Sequence, residues 1–113
     1  MSRGIQSLNW KDKMLNHIVI FKLKEEFQGK KKDEIAKEIK EKLEELPRLV
    51  REIVYYEVGI NSLNDPRAYD LVLISKFESL QSLENYKNNE HHKRTLAFIL
   101  ERALDAKVVD FYS

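Results

Sequence analysis

The chain has 113 residues, 42% of them hydrophobic and 35% charged, with a formal net charge of +1. That is one domain's worth of chain, with enough apolar side chain for a core, and its balanced charge gives no electrostatic reason to expect nucleic acid or an anionic membrane as partner. There is no cysteine, which excludes disulfides, thiolate catalysis and Cys-ligated metal, and no apolar run is long enough to span a bilayer.

Residues 1–13, "MSRGIQSLNWKDK", lack the apolar stretch of a signal peptide, so a cytoplasmic protein is the expectation. They read as an N-terminal extension of the kind that is often mobile, with Trp10 the one residue that would gain much from docking; the domain proper is expected over 14–113. "LNHIVIFKLK" (15–24) is rich in β-branched and aromatic residues and predicts a strand. "QGKKKDE" reads as a short, solvated basic loop. "KKKDEIAKEIKEKLEEL" predicts a helix, because Ile35, Ile39, Leu43 and Leu46 recur on one face. The opposite face offers three i, i+4 ion pairs, Lys37/Glu41, Glu38/Lys42 and Lys40/Glu44. Pro47 closes the helix.

"REIVYYEVGIN" (51–61) predicts a second strand, "SLNDP" a turn, and "YDLVLISKF" (69–77) a third strand. Ser79 is a candidate N-cap for a short helix carrying Leu80, Leu83 and Tyr86 on one face. "EHHKRTLAFILERALDA" predicts a longer helix and "KVVDFYS" a last strand. The order β-α-β-β-α-β, with its second helical segment broken in two, predicts an α+β ferredoxin-like protomer: an antiparallel sheet with helices on one face.

Both faces of that sheet read as apolar. In the third strand Tyr69, Leu71, Leu73 and Phe77 oppose Val72 and Ile74. In the first, Val19, Phe21 and Leu23 oppose Ile18 and Ile20, and in the second Val54, Tyr56, Val58 and Ile60 oppose Ile53 and Tyr55. Helices cover one face only, so the other is expected to meet a second copy of the chain. Such a homodimer would pack its sheets face to face, and that packing can leave a cavity on each sheet's inner face.

The candidate site lies in "LENYKNNEHHKRTLAFIL". On one unbroken helix Tyr86 and His92 would sit about 240° apart. Asn88 and Asn89 favour a break there, which would fold the two side chains toward a common space. From His92, helical steps reach Leu96, Ile99 and Ala103, an apolar stripe; from His91 they reach Thr95, Phe98 and Arg102, a mixed face. His92 is therefore expected to point inward and His91 outward. The start of a helix disfavours imidazolium, leaving a neutral ring able to accept a proton, while a nearby phenol can hydrogen-bond a carbonyl that gains charge. His17 shares a strand face with Val19, Phe21 and Leu23, where a polar ring needs a partner or a cavity. Each of the three also has a structural reading, as a buried, hydrogen-bonded core residue. No metal site is expected, since adjacent helix residues such as His91 and His92 do not chelate together and the i, i+4 pair is missing. Phosphate loops, nucleophile elbows and dinucleotide fingerprints are absent.

Three stretches, "MLNHIVIFKLKEE" (14–26), "YYEVGINSLNDPRAYDLVLISKFESLQSLENY" (55–86) and "HHKRTLAFILERALDAKVVDFYS" (91–113), resemble the stress-responsive α/β-barrel family of the dimeric α/β-barrel superfamily. The resemblance implies a ferredoxin-like protomer in a dimer with facing sheets. The family's usual pattern before the last helix is Tyr-x-x-His-Pro-x-His. Tyr86 and His92 match its ends and His17 its first-strand histidine, whereas Asn89 stands in place of the first His and Glu90 in place of Pro. A plant member, olivetolic acid cyclase, closes a linear polyketide by an aldol-type step without metal or organic cofactor. Its catalytic Tyr and His correspond to Tyr86 and His92 here.

The resemblance therefore implies a pocket for a small hydrophobic or carbonyl-containing ligand and no cofactor. His92 would be the base, Tyr86 the hydrogen bond to the carbonyl oxygen, and His17 an orienting group. Val19, Phe21, Tyr56 and Leu73 are the expected apolar wall. The alternative is a non-catalytic stress-associated or assembly protein whose histidines are structural; a third reading is a ligand sensor without chemistry. The sequence names neither substrate nor pathway.

Overall fold

The computed structural model describes residues 13–113; Trp10 and the rest of the expected extension lie outside the described residues. Alternating side chains of β1 (Leu15–Leu23) set the frame: Leu15, His17, Val19, Phe21 and Leu23 are buried on one face, while Ile18 and Ile20 are half-buried on the other. The chain then turns back through two-residue strands, β2 (Glu26–Phe27) and β3 (Lys30–Lys31). Gln28 and Gly29, at φ 51° and 82°, supply the left-handed pair that a tight hairpin needs. The expected basic loop is thus a small hairpin.

Helix α1 (Lys32–Glu45) begins with Asp33 and Glu34 in its first turn, and the Glu34 carboxylate accepts the Lys31 N–H at 3.2 Å. Ile35, Ala36, Ile39 and Leu43 form its buried face, and a 3₁₀ turn at Leu46–Arg48 holds Pro47. Of the three expected i, i+4 pairs only Lys40–Glu44 forms, at 2.9 Å. Glu38 pairs with Lys30 instead, and the Lys42 ammonium lies 4.8 Å above the Phe98 ring.

Strands β4 (Tyr55–Ile60) and β5 (Leu71–Phe77) are each shorter at the start than expected. Helix α2 (Leu80–Asn88) is capped by Ser79, whose hydroxyl accepts the Ser82 N–H at 3.1 Å. Helix α3 (Glu90–Arg102) follows after Asn89 alone. It stops four residues earlier than the sequence suggests, and Ala103 opens the long strand β6 (Ala103–Tyr112). Pairing decides this: Leu23, Lys22 and Phe21 of β1 take Ala103, Asp105 and Ala106 as partners, so ladder hydrogen bonds override the helix propensity of "ALDA".

The sheet runs β4-β5-β1-β6, every pair antiparallel, and the fold is ferredoxin-like α+β. Among the described residues no helix is long and apolar enough to cross a membrane. The core lies between the helices and the face carrying Val19, Phe21, Val58, Leu71, Leu73 and Phe77. On the opposite face the register sets Ile18 beside Ile74 and Val109, and Ile20 beside Val72. That face is apolar and open, with Val109 60% exposed and Phe111 44%.

Candidate functional site

Asn89 makes the site by ending one helix and starting the next. Its backbone is extended (φ −70°, ψ 137°), its N–H donates to Tyr86 O, and its side-chain oxygen accepts the His91 N–H at 2.8 Å. A C-cap and an N-cap thus share one residue. The break brings the Tyr86 and His92 rings together, with centroids 4.3 Å apart. His17 reaches the same place from β1, its ring centroid 6.5 Å from that of Tyr86.

These three side chains line one cavity of about 310 Å³, at the small end of the range for ligand pockets. Val19, Phe21 and Leu73 form its sheet wall, and Leu96, Ile99 and Leu100 its helix wall. The cavity therefore lies inside the protomer, between sheet and helices. The expectation of a cavity on the face turned toward a second copy is corrected: Val19, Phe21 and Leu73 face the helices. Tyr56, expected in the wall, does not line the cavity. It stands behind Tyr86, and the two phenol oxygens are 2.7 Å apart.

His17, Tyr86 and His92 each have a defined partner. His17 Nδ1 is 2.6 Å from Asp110 Oδ1, across the β1–β6 pairing that sets the two residues opposite each other. His92 Nδ1 is 3.2 Å from Lys87 O. A carbonyl only accepts, so Nδ1 carries the hydrogen and Nε2 keeps its lone pair. Burial pushes the His92 pKa below its ordinary value of 6.5; the Lys87 carbonyl opposes that shift, and the His17 ring and Lys87 ammonium add to it. Desolvation is the largest cause of that lowering. Burial pushes Tyr86 up to about 12, against the lowering effect of its bond with Tyr56. Tyr56 is pushed up too, by burial first and then by Tyr86. At neutral pH the pair is therefore two neutral phenols sharing one hydrogen bond.

His91 faces the outer groove between α1 and α3 and receives a bond from Arg94 at 3.3 Å. The mixed face expected of it is more buried than the sequence suggests: Thr95 and Arg102 are both buried. Arg102 is sunk against Phe98, its guanidinium carbon 3.5 Å from the ring centroid, and it donates to Phe98 O at 2.9 Å. Leu80, expected on the buried face of α2, is exposed. Sequence reasoning missed Asp110, Thr95 and Lys87. Only Asp110 carried a signal, as an acid within an apolar last strand that must pair with the strand of His17. Among the described residues no three His, Asp or Glu side chains cluster as metal ligands would.

Fold and cavity together define a ferredoxin-like protomer with an apolar pocket that is polar at one end. Residues 15–113 match the model of the stress responsive A/B barrel domain, and the chain belongs to that family. Among solved structures it resembles a dimeric protein of unknown function with a ferredoxin-like fold from Bacteroides fragilis. The identity is 28% over 88% of this chain and 96% of that one, at a TM-score of 0.78. A dimeric ferredoxin-like protein of unknown function from Thermobifida fusca is 19% identical, over 89% and 92%, at 0.77. A hydroxynitrile lyase from Passiflora edulis is 12% identical, over 88% and 93%, at 0.75. No curated protein matches the chain.

Proposed function

We propose that this chain is a small-molecule-binding protein that works as a homodimer, and that its pocket is a cofactor-independent site for removing a proton beside a carbonyl. The observation that carries this reading is the meeting of Tyr86 and His92, ring centroids 4.3 Å apart, at one end of an otherwise apolar cavity. His92 Nε2 takes the proton from the carbon. The electron pair of that C–H bond moves into the carbonyl, and Tyr86 O–H hydrogen-bonds the oxygen as charge grows there. Tyr56 donates to Tyr86 and strengthens that bond. His17, fixed by Asp110, orients the ligand. A lyase with a similar fold, from Passiflora edulis, supports the reading at the level of fold analogy.

The test is hydrogen–deuterium exchange beside the carbonyl of nonan-2-one in D₂O, followed by NMR. The protein should raise exchange above the buffer rate, and His92→Ala and Tyr86→Phe should each remove most of the gain, since a positioned base contributes about 10²–10⁴-fold. Exchange at the buffer rate, or gain untouched by both substitutions, defeats the catalytic reading.

One observation favours the competing reading, a non-catalytic assembly protein with structural histidines. His17, Tyr86 and His92 each have a partner inside the protein. In that case His92→Ala lowers Tm by several degrees, about 4–8 °C for each kcal/mol lost in a domain of this size, whereas a residue kept for chemistry is removed at little cost to stability.

A further inference from the structure

Lys87 is the only Lys, Arg, Asp or Glu among the described residues that line the cavity. Like Leu100 and Val108, which also line it, Lys87 is exposed, so these three mark the rim where the cavity meets solvent. Glu84 stands one turn back on α2, where a helical lysine commonly finds its counter-charge. Yet the Lys87 ammonium has no hydrogen-bond or ion-pair partner among the described residues. Its charge is felt at the cavity's polar end, where it helps to lower the His92 pKa. Asp110, the acid at that end, is already held by His17 at 2.6 Å. The rim therefore carries a positive charge that no acid of the chain answers.

Beyond the rim the wall is apolar, with Leu96, Ile99 and Leu100 in a row along α3. A ligand matched to this order has a charged head and an apolar body. A carboxylate that entered a wholly apolar cavity would lose its hydration with nothing in return. At Lys87 it gains a charge-assisted hydrogen bond and keeps part of its water. We propose that Lys87 is the anion-recognising group of the cavity. The ligand is then an amphiphilic monocarboxylate, its head on the Lys87 ammonium and its chain against Leu96, Ile99 and Leu100. Lys87 follows Tyr86 in the chain, and its backbone carbonyl is the partner of His92 Nδ1, so the head is anchored beside both rings. This rests on the reading of the cavity as a small-molecule site and adds to it the sign of the ligand's charge.

Octanoate and nonan-2-one test it, titrated by NMR into the full chain and its variants at neutral pH and low salt. The two probes share one alkyl chain and differ in whether the carbonyl carbon bears an oxyanion or a methyl group. An apolar cavity without a counter-charge would prefer the ketone. The wild type should instead hold octanoate the more tightly. Lys87→Met keeps the length of the stem and removes the charge. It should weaken octanoate roughly three- to tenfold, the worth of one charge-assisted contact at a half-open rim, and leave the ketone unchanged. Lys87→Arg should retain the preference, and Lys87→Gln serves if the methionine variant fails to fold. A wild type that holds the ketone as tightly as octanoate overturns the proposal while the pocket stands. So does a preference that survives Lys87→Met, or a loss equal for both probes. Failure of the wild type to bind either probe overturns the pocket reading, and this proposal with it.

Discussion

His92 is held by the backbone break that brings it to Tyr86. The last turn of α2 supplies the Lys87 carbonyl that takes its Nδ1 hydrogen, and the first turn of α3 supplies its own backbone. Burial makes the imidazolium costly here, so the folded protein binds a proton at this ring less readily than the unfolded chain, which titrates near 6.5. The sign follows: above about 6.5 the ring is neutral in both states and its contribution to stability is intact. As pH falls through the lowered folded value, the unfolded state is protonated first and that contribution is lost. An NMR titration of the ring should give a midpoint below 6.5, and the Tm advantage of wild type over His92→Phe should shrink between pH 7 and pH 5. A midpoint above 6.5 would mean that the carbonyl bond outweighs burial and that the ring is no neutral base at physiological pH. The ring's inward direction was legible from the Leu96 and Ile99 stripe. Its tautomer was not, because the acceptor belongs to a different helix.

At the scale of elements, the two-helix segment depends on Asn89. Its side-chain oxygen caps α3 at His91 N, and its own N–H closes α2 on Tyr86 O. Replacing an asparagine N-cap by alanine costs about 1 kcal/mol, so Asn89→Ala should lower Tm by about 4–8 °C. It should also loosen the Tyr86–His92 contact, visible as altered ring shifts of both residues. An unchanged Tm would mean that packing of Leu83 and Ile99 alone sets the break. The break was legible because asparagine competes with helix through its own side chain. The end of α3 was not, because Ala103 and Ala106 are good helix formers, and only their pairing with Leu23 and Phe21 of β1 makes them strand. The cavity's true side was hidden for a related reason. Alternation separates two faces of a strand but does not say which one the helices cover, and Val19, Phe21 and Leu73 proved to be on the covered face.

At the scale of the whole molecule, the open face of the sheet is the feature left to explain. Ile18, Ile20, Val72, Ile74 and Val109 form a contiguous apolar surface, set side by side by the β1–β5 and β1–β6 registers. Four of them are only half-buried in the protomer, and Val109 is 60% exposed. A surface of this kind on a lone protomer invites association. Because it is a twisted sheet face, a second copy turned by a two-fold axis presents the same shape and chemistry to it. The proteins from Bacteroides fragilis and Thermobifida fusca with this fold are described as dimeric. Native mass spectrometry should find a dimer of about 27 kDa, twice the 13.4 kDa of the chain. Ile74→Lys puts a charge at the centre of the face, where an unpaired ammonium must be desolvated on association; it should yield monomer while leaving the helix-covered core untouched. The cavity lies on the opposite side of the sheet from Ile74, so nonan-2-one should still bind this variant if the pocket is complete within one protomer. Loss of binding together with loss of the dimer would show that the second copy holds the sheet in the shape the pocket needs. A wild-type monomer would leave the apolar face unexplained and remove the homodimer from the proposed function, without touching the convergence of Tyr86, His92 and His17 on the helix side.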